Sequence, residues 1–473
     1  MKTTPSPGNS ILLRLRYPNT IGKLAEITAA IAATGGSVGA INVVASDRTH
    51  ITRDITVNTT GDAHAQSIVE AAKAIPDAEL VDTWDCTFRM HEGGKLEVVP
   101  TSELNDYVDL SMAYTPGVAR VCQAIAKDPA AARDYTIRRN TVAVVTNGTA
   151  VLGLGNIGAL ASLPVMEGKS VLFKVFGGVN SFPVCVDTTD TETLIECARA
   201  VACTFGGINL EDIAAPECFE VERRVTEAVD IPVFHDDQHG TAVVVGAAFI
   251  NAVKVTGKAP AKIKAIVCGA GAAGVACTRA LLDLGVGDVI ACDRAGAIYR
   301  GRDGLTPAKD WLAHTTNKEN NSGSLKEVLV GADLFLGLSG PNLLRGDDMR
   351  VMAKDPIIFA LSNPTPEVPP EEVADFAAVI ATGRSDYPNQ INNVLCFPGL
   401  FRGLLESGVK RVSREMLTAA AKAIASVIPD EELGKDYIIA SAFNRSVGDA
   451  VANAVMAVAS DSSLPKTPVY FEF

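Results

Sequence analysis

Apolar and polar residues alternate along SILLRLRY (10–17), the two-residue period of a half-buried strand. PNTIG turns the chain into KLAEITAAIAATG, whose apolar positions recur at helical spacing until Gly35-Gly36 end the pattern. Two more strand patterns, VGAINVVAS and HITRDITVNT, precede a helix, AQSIVEAAKAI, and a last strand, AELVDTWDCTF. The predicted order is β-α-β-β-α-β, a ferredoxin-like unit over residues 1–92. HEGGKLEVVP, with paired glycines and charge, reads as a linker.

Residues 98–248 read as a mixed α/β domain with a helix-rich start. Over 249–473 the pattern becomes regular, with KAIVCGAG, DVIACD, ADLFLGLSG, DPIIFALSNP and AAVIATG as buried strands between helical stretches. That is the signature of a doubly wound parallel sheet, a Rossmann-type fold, followed by a helical tail.

Composition narrows the classes. With 473 residues, 47% of them hydrophobic and 21% charged, the chain is globular and too long for one ordinary core. A net charge of −13 argues against a nucleic-acid surface, and an acidic substrate would need local cations or a metal to hold it. Ten cysteines lie scattered without a C-x-x-C pair, as buried thiols of a reducing compartment do. No apolar run reads as a membrane span and no secretory signal opens the chain, so a cytoplasmic protein is expected.

Two motifs carry chemistry. In IPVFHDDQHGT (231–241), His235 and His239 imitate the spacing of a zinc peptidase, but the pair is read as straddling a strand–loop–helix junction, where that spacing loses its meaning. Asp236 and Asp237, with Glu211-Asp212 of GGINLEDIAAPE, offer four carboxylates at two strand ends, a hard oxygen set suited to Mg²⁺ or Mn²⁺. G-x-G-x-x-G occurs twice. In VCGAGAAG, Gly269, Gly271 and Gly274 follow a strand and open a helix, and the next strand ends in Asp293, the arrangement that holds a pyrophosphate and a ribose hydroxyl. Arg294 beside it could reach a 2′-phosphate, so NAD is expected with NADP open. VLGLGNIG, with Gly153, Gly155 and Gly158, reads as a tight turn whose following helix is interrupted by Pro164.

YTPGVA, VLGLGNIG, INLEDI, HDDQHGTA, SNPTPE and NNVLCFPG, in this order between about 98 and 455, resemble the malic enzymes. The resemblance implies oxidative decarboxylation of malate to pyruvate and CO₂ with reduction of NAD or NADP. It implies Tyr114 as general acid, Lys169 as general base and Asp236 as the residue that tunes the lysine. Glu211, Asp212 and Asp237 would be metal ligands. Asn363 and Asn393 would contact substrate, Asn363 also lying at the cofactor. Thr149-Ala150 stand where larger members carry an arginine for the substrate. The front unit resembles an ACT domain, which implies a small-molecule effector, and the family resemblance implies a dimer or a multiple of one. Other readings are another metal-dependent oxidative decarboxylase, an amino-acid dehydrogenase, or a non-catalytic NAD-binding sensor.

Overall fold

A computed structural model describes residues 5–151 and 153–473. The chain divides into two compact units, Met1–Glu97 and Val98–Phe473.

In the first unit, β1 (Ser6–Pro18), β2 (Ser37–Ser46), β3 (His50–Thr59) and β4 (Glu79–Asp85) form an antiparallel sheet ordered β2-β3-β1-β4. Helices α1 (Lys23–Ala33) and α2 (Asp62–Lys73) complete the ferredoxin-like order. The alternation in β1 puts Leu13, Leu15 and Tyr17 into a core closed by Ile27 and Ile31 of α1 and Ile68 and Ala72 of α2. The last strand is shorter than its pattern suggests. Asp85 accepts the backbone N–H groups of Thr87 and Phe88 and so caps a short helix over Cys86–His91.

The second unit holds two sheets. The first is parallel, with β5 (Thr141–Thr146), β6 (Asn180–Cys185), β7 (Gly207–Leu210) and β8 (Val233–His235) in the order β6-β5-β7-β8. Helices α3 (Ala159–Gly177), α4 (Thr191–Val201) and α5 (Glu217–Ala228) make its crossovers. The chain leaves β5 toward β6 and returns toward β7, so a crevice opens at the carboxyl ends of β5 and β7. Pro164 does not interrupt α3. It sits in the second turn, near the start of the helix, and the helix continues through it to Gly177.

The segment after β8 also departs from its reading as a loop. Asp236–Gly240 form a π-helical turn that runs straight into α6 (Thr241–Thr256). By length and composition Asp236–Thr256 could cross a membrane, yet 67% of its most apolar window is buried in protein, which marks a core helix. The expected domain boundary at 248/249 falls inside α6.

The second sheet is β9 (Lys264–Cys268), β10 (Asp288–Asp293), β11 (Gly296–Ala297), β12 (Leu334–Gly337), β13 (Ile357–Ala360) and β14 (Val379–Thr382), ordered β11-β10-β9-β12-β13-β14. All pairs are parallel except the short edge β11. β12 and β13 are buried along their whole length, as strands covered on both faces must be. Helix α7 (Ala272–Asp283) follows β9, and α8 (Phe397–Ser407), α9 (Arg414–Ser426) and α10 (Ser446–Ser460) form the tail.

One apolar core joins both sheets of this unit. At its centre Phe173 of α3 meets Phe397 and Phe401 of α8 edge to face, at 4.7 and 5.3 Å between centroids. Phe401 also packs on Phe234 of β8, and all four rings are buried. Phe401→Ala is expected to destabilise this unit by about 3–5 kcal/mol, measured by urea unfolding with the first unit as internal reference. A loss below about 1 kcal/mol would show that this cluster does not hold the two sheets together.

Candidate functional site

The buried face of α3 runs through Ala159, Ser162, Met166, Ser170 and Phe173. Lys169 falls on the same face, three residues after Met166, so the helix carries its ammonium inward to the carboxyl ends of β5, β7 and β8. Its Nζ lies 2.5 Å from Oδ2 of Asp236 and 2.9 Å from Oε1 of Glu211, and 4.2 Å from the centroid of the Phe397 ring. The side chains of Lys169, Glu211 and Asp236 are 10%, 8% and 0% exposed.

The carboxylates are fixed from several directions. Glu211 follows β7, and its other oxygen accepts from Nδ2 of Asn209, two residues earlier on the same strand face, at 2.8 Å. Asp212 occupies the left-handed region at φ 52°, and its backbone N–H donates to Asp237 Oδ2 at 2.8 Å. Asn393 donates from Nδ2 to Asp236 Oδ2 at 3.1 Å and to Thr241 Oγ1 at 3.1 Å. The π turn brings Gly240 against Asp236, where a Cβ would sit 1.8 Å from Oδ1. Only glycine leaves room for that carboxylate.

Ligand oxygens of Glu211, Asp212 and Asp237 lie within 4.8 Å of one another. Burial pushes Glu211 well above the usual carboxylate range, although Lys169 opposes it. Burial and then Asp237 push Asp212 up to about 8. Burial also raises Asp236, against the pull of Lys169. For Lys169 burial acts downward, but Asp236 and Glu211 outweigh it and hold the ammonium above its ordinary range. Oδ2 of Asp212 is buried without a hydrogen-bond partner among the described residues. Three crowded oxygen donors, one of them orphaned, fit a hard divalent cation.

The histidines of HDDQH do not share an ion. His239 Nε2 pairs with both oxygens of the buried Glu222 at 2.8 and 2.9 Å. His235 lies buried at the end of β8, its Nδ1 3.8 Å from Asp237.

Tyr114 is not brought into the cluster. It follows the helix Tyr107–Ala113, is 67% exposed, and its hydroxyl has no hydrogen bond among the described residues. Asn363 lies at the end of β13, where its amide packs on Gly383 and its carbonyl on Gly153 of the first glycine loop. Among the described residues of that loop, the Val151 N–H donates to the Gly155 carbonyl and the Leu154 N–H to the Val151 carbonyl. Thr149 donates from Oγ1 to Asn147 Oδ1 and accepts from the backbone of Ala214.

In the second loop Gly269 has φ 120° and approaches the Leu338 carbonyl across the β9/β12 switch point; a Cβ there would lie 2.5 Å from that oxygen. A Cβ on Gly274 would lie 1.8 Å from the Gly269 carbonyl, while Gly271 faces open space. Helix α7 begins just after Gly271, so its free N–H groups point at the place of a pyrophosphate. Glu367 accepts from the backbone of Ser339 and Ser362 and ties together the loops after β12 and β13. Asp293 ends β10 and is paired with Arg302 and Lys309; Arg294 is exposed.

The malic enzyme N-terminal domain family matches residues 93–226, and the malic enzyme NAD-binding domain family matches residues 238–460. An NAD-dependent malic enzyme of Geobacillus stearothermophilus is 52% identical, over 95% of this chain and 94% of its own length. A bifunctional malic/malolactic enzyme of Bacillus subtilis is 50% identical, over 80% of this chain and 92% of its own. The crystal structure of an NAD-dependent malic enzyme from Thermotoga maritima superposes with a TM-score of 0.76 at 45% identity, covering 79% of this chain and 99% of that one.

Asp237→Asn is expected to abolish stoichiometric Mn²⁺ binding, followed by the electron paramagnetic resonance of free Mn²⁺, while NAD binding survives. Wild-type affinity is expected to fall with pH below about 8, where Asp212 holds a proton that the cation must displace. The slope should be about tenfold per pH unit for each proton released. Unchanged Mn²⁺ binding in the variant removes Asp237 from the metal site.

Proposed function

The chain belongs to the malic enzyme family, and from that premise we propose how its own residues divide the oxidative decarboxylation of malate. The observation that carries the assignment is Lys169 Nζ held between Asp236 and Glu211, at the edge of the three-carboxylate group. Glu211, Asp212 and Asp237 would hold Mg²⁺ or Mn²⁺. When bound, that cation supplies Lewis-acid stabilisation of charge developing on the substrate oxygens and offsets the negative field that keeps Lys169 protonated.

Lys169 would accept the C2 hydroxyl proton, and a dinucleotide held on the GAGAAG loop would supply the hydride acceptor for C2. Asp236, fixed by Asn393, aims the lysine and stabilises the ammonium that forms. The bond from C3 to the departing carboxyl breaks, its electron pair stays on the substrate, and CO₂ leaves. Tyr114 protonates C3 and pyruvate results. Asn363, and Asn393 through its bond to Asp236, would contact the substrate. An ordinary dehydrogenase has no need of the crowded carboxylates, and a non-catalytic sensor has no need of a buried lysine among them.

Tyr114 must reach this crevice from an exposed position. The helices Tyr107–Ala113 and Val118–Lys127 bury no residue, and they expose Tyr107, Val108, Met112 and Val121 beside it. Two helices that bury nothing and expose these apolar side chains support packing of this segment against a second copy of the chain. We place Tyr114 in the partner's site of a homodimer.

The first unit carries none of these residues, and its turn PNTIG exposes Ile21 next to Gly22, where a side chain would meet nothing within 4 Å. Its strand and helix order supports an ACT-like regulatory module that binds a small effector.

Lys169→Ala is expected to lower malate oxidation by about 10²–10⁴. Tyr114→Phe should lose pyruvate formation and keep oxaloacetate reduction, which needs no proton at C3. Normal malate oxidation in Lys169→Ala overturns the assigned base. Mixing the two variants through an unfolding–refolding cycle should restore about a quarter of wild-type turnover, since one site in each hybrid dimer is whole. No recovery places Tyr114 in its own subunit's site.

A screen of amino acids and central metabolites on the full chain should find an effector coupled by about 1–3 kcal/mol. A chain beginning at Leu96 should keep turnover and lose the response; a retained response puts regulation in the second unit.

A further inference from the structure

The turn that carries Asp236 and Asp237 is short and needs support from outside itself. Asp236–Gly240 make a single π turn, closed by the bond from the Thr241 N–H to the Asp236 carbonyl. Asn393 holds its two ends together, donating to Asp236 Oδ2 and to Thr241 Oγ1. Asp237 is the least enclosed of the three crowded acids, with a side chain 34% exposed, so its place depends on the turn.

Glu222 of α5 holds the middle of the turn. It is fully buried, and both of its oxygens are spent on two successive residues there. Oε1 and Oε2 pair with His239 Nε2 at 2.8 and 2.9 Å, and Oε2 accepts from Gln238 Nε2 at 3.3 Å. Phe234 and Phe471 neighbour the His239 ring, at 5.8 and 6.5 Å between centroids. Phe471 is in turn held by Arg279 of α7, whose guanidinium lies 3.7 Å from the ring centroid and donates to the Val469 and Tyr470 carbonyls. The Glu222–His239 pair is thus shut off from water.

A buried carboxylate adds little net stability, because lost hydration offsets the pairing, and an apolar side chain of similar volume would fill the same space. What it adds is direction. We propose that Glu222 is a positioning residue of the metal site: through Gln238 and His239 it sets the π turn so that Asp237 stands against Asp212 and Glu211, and Asp236 against Lys169. The proposal rests on the reading of Glu211, Asp212 and Asp237 as metal ligands. Glu222 reaches the site only through the turn. Without its hold nothing at Gln238 and His239 favours the wide π geometry over an ordinary α turn, which would direct Asp236 and Asp237 differently.

The test is Mn²⁺ titration of the full chain, read from the electron paramagnetic resonance of free Mn²⁺, in wild type, Glu222→Gln and Asn251→Ala. Glutamine at 222 keeps the shape but has one acceptor oxygen, so one of the two holds is lost. Asn251 of α6 is buried and donates to the Ala425 and Ile438 carbonyls, so its removal reports on fold stability alone. Glu222→Gln should weaken Mn²⁺ binding about tenfold. Its NAD binding, measured by calorimetry, should change by less than about threefold. Asn251→Ala should lower the urea midpoint and keep Mn²⁺ affinity within about twofold of wild type. Unchanged Mn²⁺ affinity in Glu222→Gln, or an equal loss in both variants, makes Glu222 a packing residue and overturns the proposal. If Glu222→Gln does not fold, Gln238→Met removes one hold from the side of the turn and should weaken Mn²⁺ about threefold. No change in that variant overturns the proposal equally. If wild type binds no Mn²⁺, the metal-site reading itself fails, and the proposal with it.

Discussion

An ammonium buried among carboxylates must be balanced, and the second unit is arranged around that balance. Lys169 lies between Asp236 and Glu211, with Asp212 and Asp237 adjoining, so four acids surround one base. Without further positive charge the group is over-supplied with acid. The upward push on Glu211, Asp212 and Asp236 expresses that excess, because burial and mutual repulsion both disfavour ionisation. A divalent cation held by Glu211, Asp212 and Asp237 would relieve it and would at the same time let Lys169 lose its proton. Lys169 and the four carboxylates are therefore one electrostatic unit.

Local features that look unrelated serve this unit. The π turn after β8 rotates Asp236 toward Lys169, and the absent side chain of Gly240 leaves its carboxylate a place. Asn209 takes the Glu211 oxygen that the lysine leaves over, and Asn393 shares Asp236 Oδ2 with the lysine. Underneath, Phe397 touches the ammonium with its ring face and continues into the Phe173–Phe401–Phe234 cluster. The apolar core and the charged site thus share a wall, and both sheets meet the crevice at the carboxyl ends of their strands.

The parallel strands were legible because burial on both faces leaves unbroken apolar runs, as in AIVC and VIAC, and because glycines mark the loops between them. The first unit was legible from alternation, except where Asp85 caps a helix that its strand pattern hides. Pro164 misled because a proline near the start of a long helix removes one backbone bond without ending the helix. HDDQHG misled because its polar residues suggest a loop, whereas burial and a π turn hold them in place. The metal-site acids stood out as paired acids in apolar surroundings. Asn209, Arg302 and Lys309, which each hold a carboxylate, and Glu222, which pairs with His239, did not, since they act through space with no periodic signal in the sequence. Tyr114 could be named by resemblance, but its exposure is a fact of folding alone.

The most direct test of the charge-balance account is anomalous X-ray scattering from a crystal grown with Mn²⁺. The account places one anomalous peak within about 2.5 Å of oxygens from Glu211, Asp212 and Asp237, with Lys169 beside it and not ligating. A peak on the His235 and His239 rings, or none near these carboxylates at saturating Mn²⁺, would contradict it.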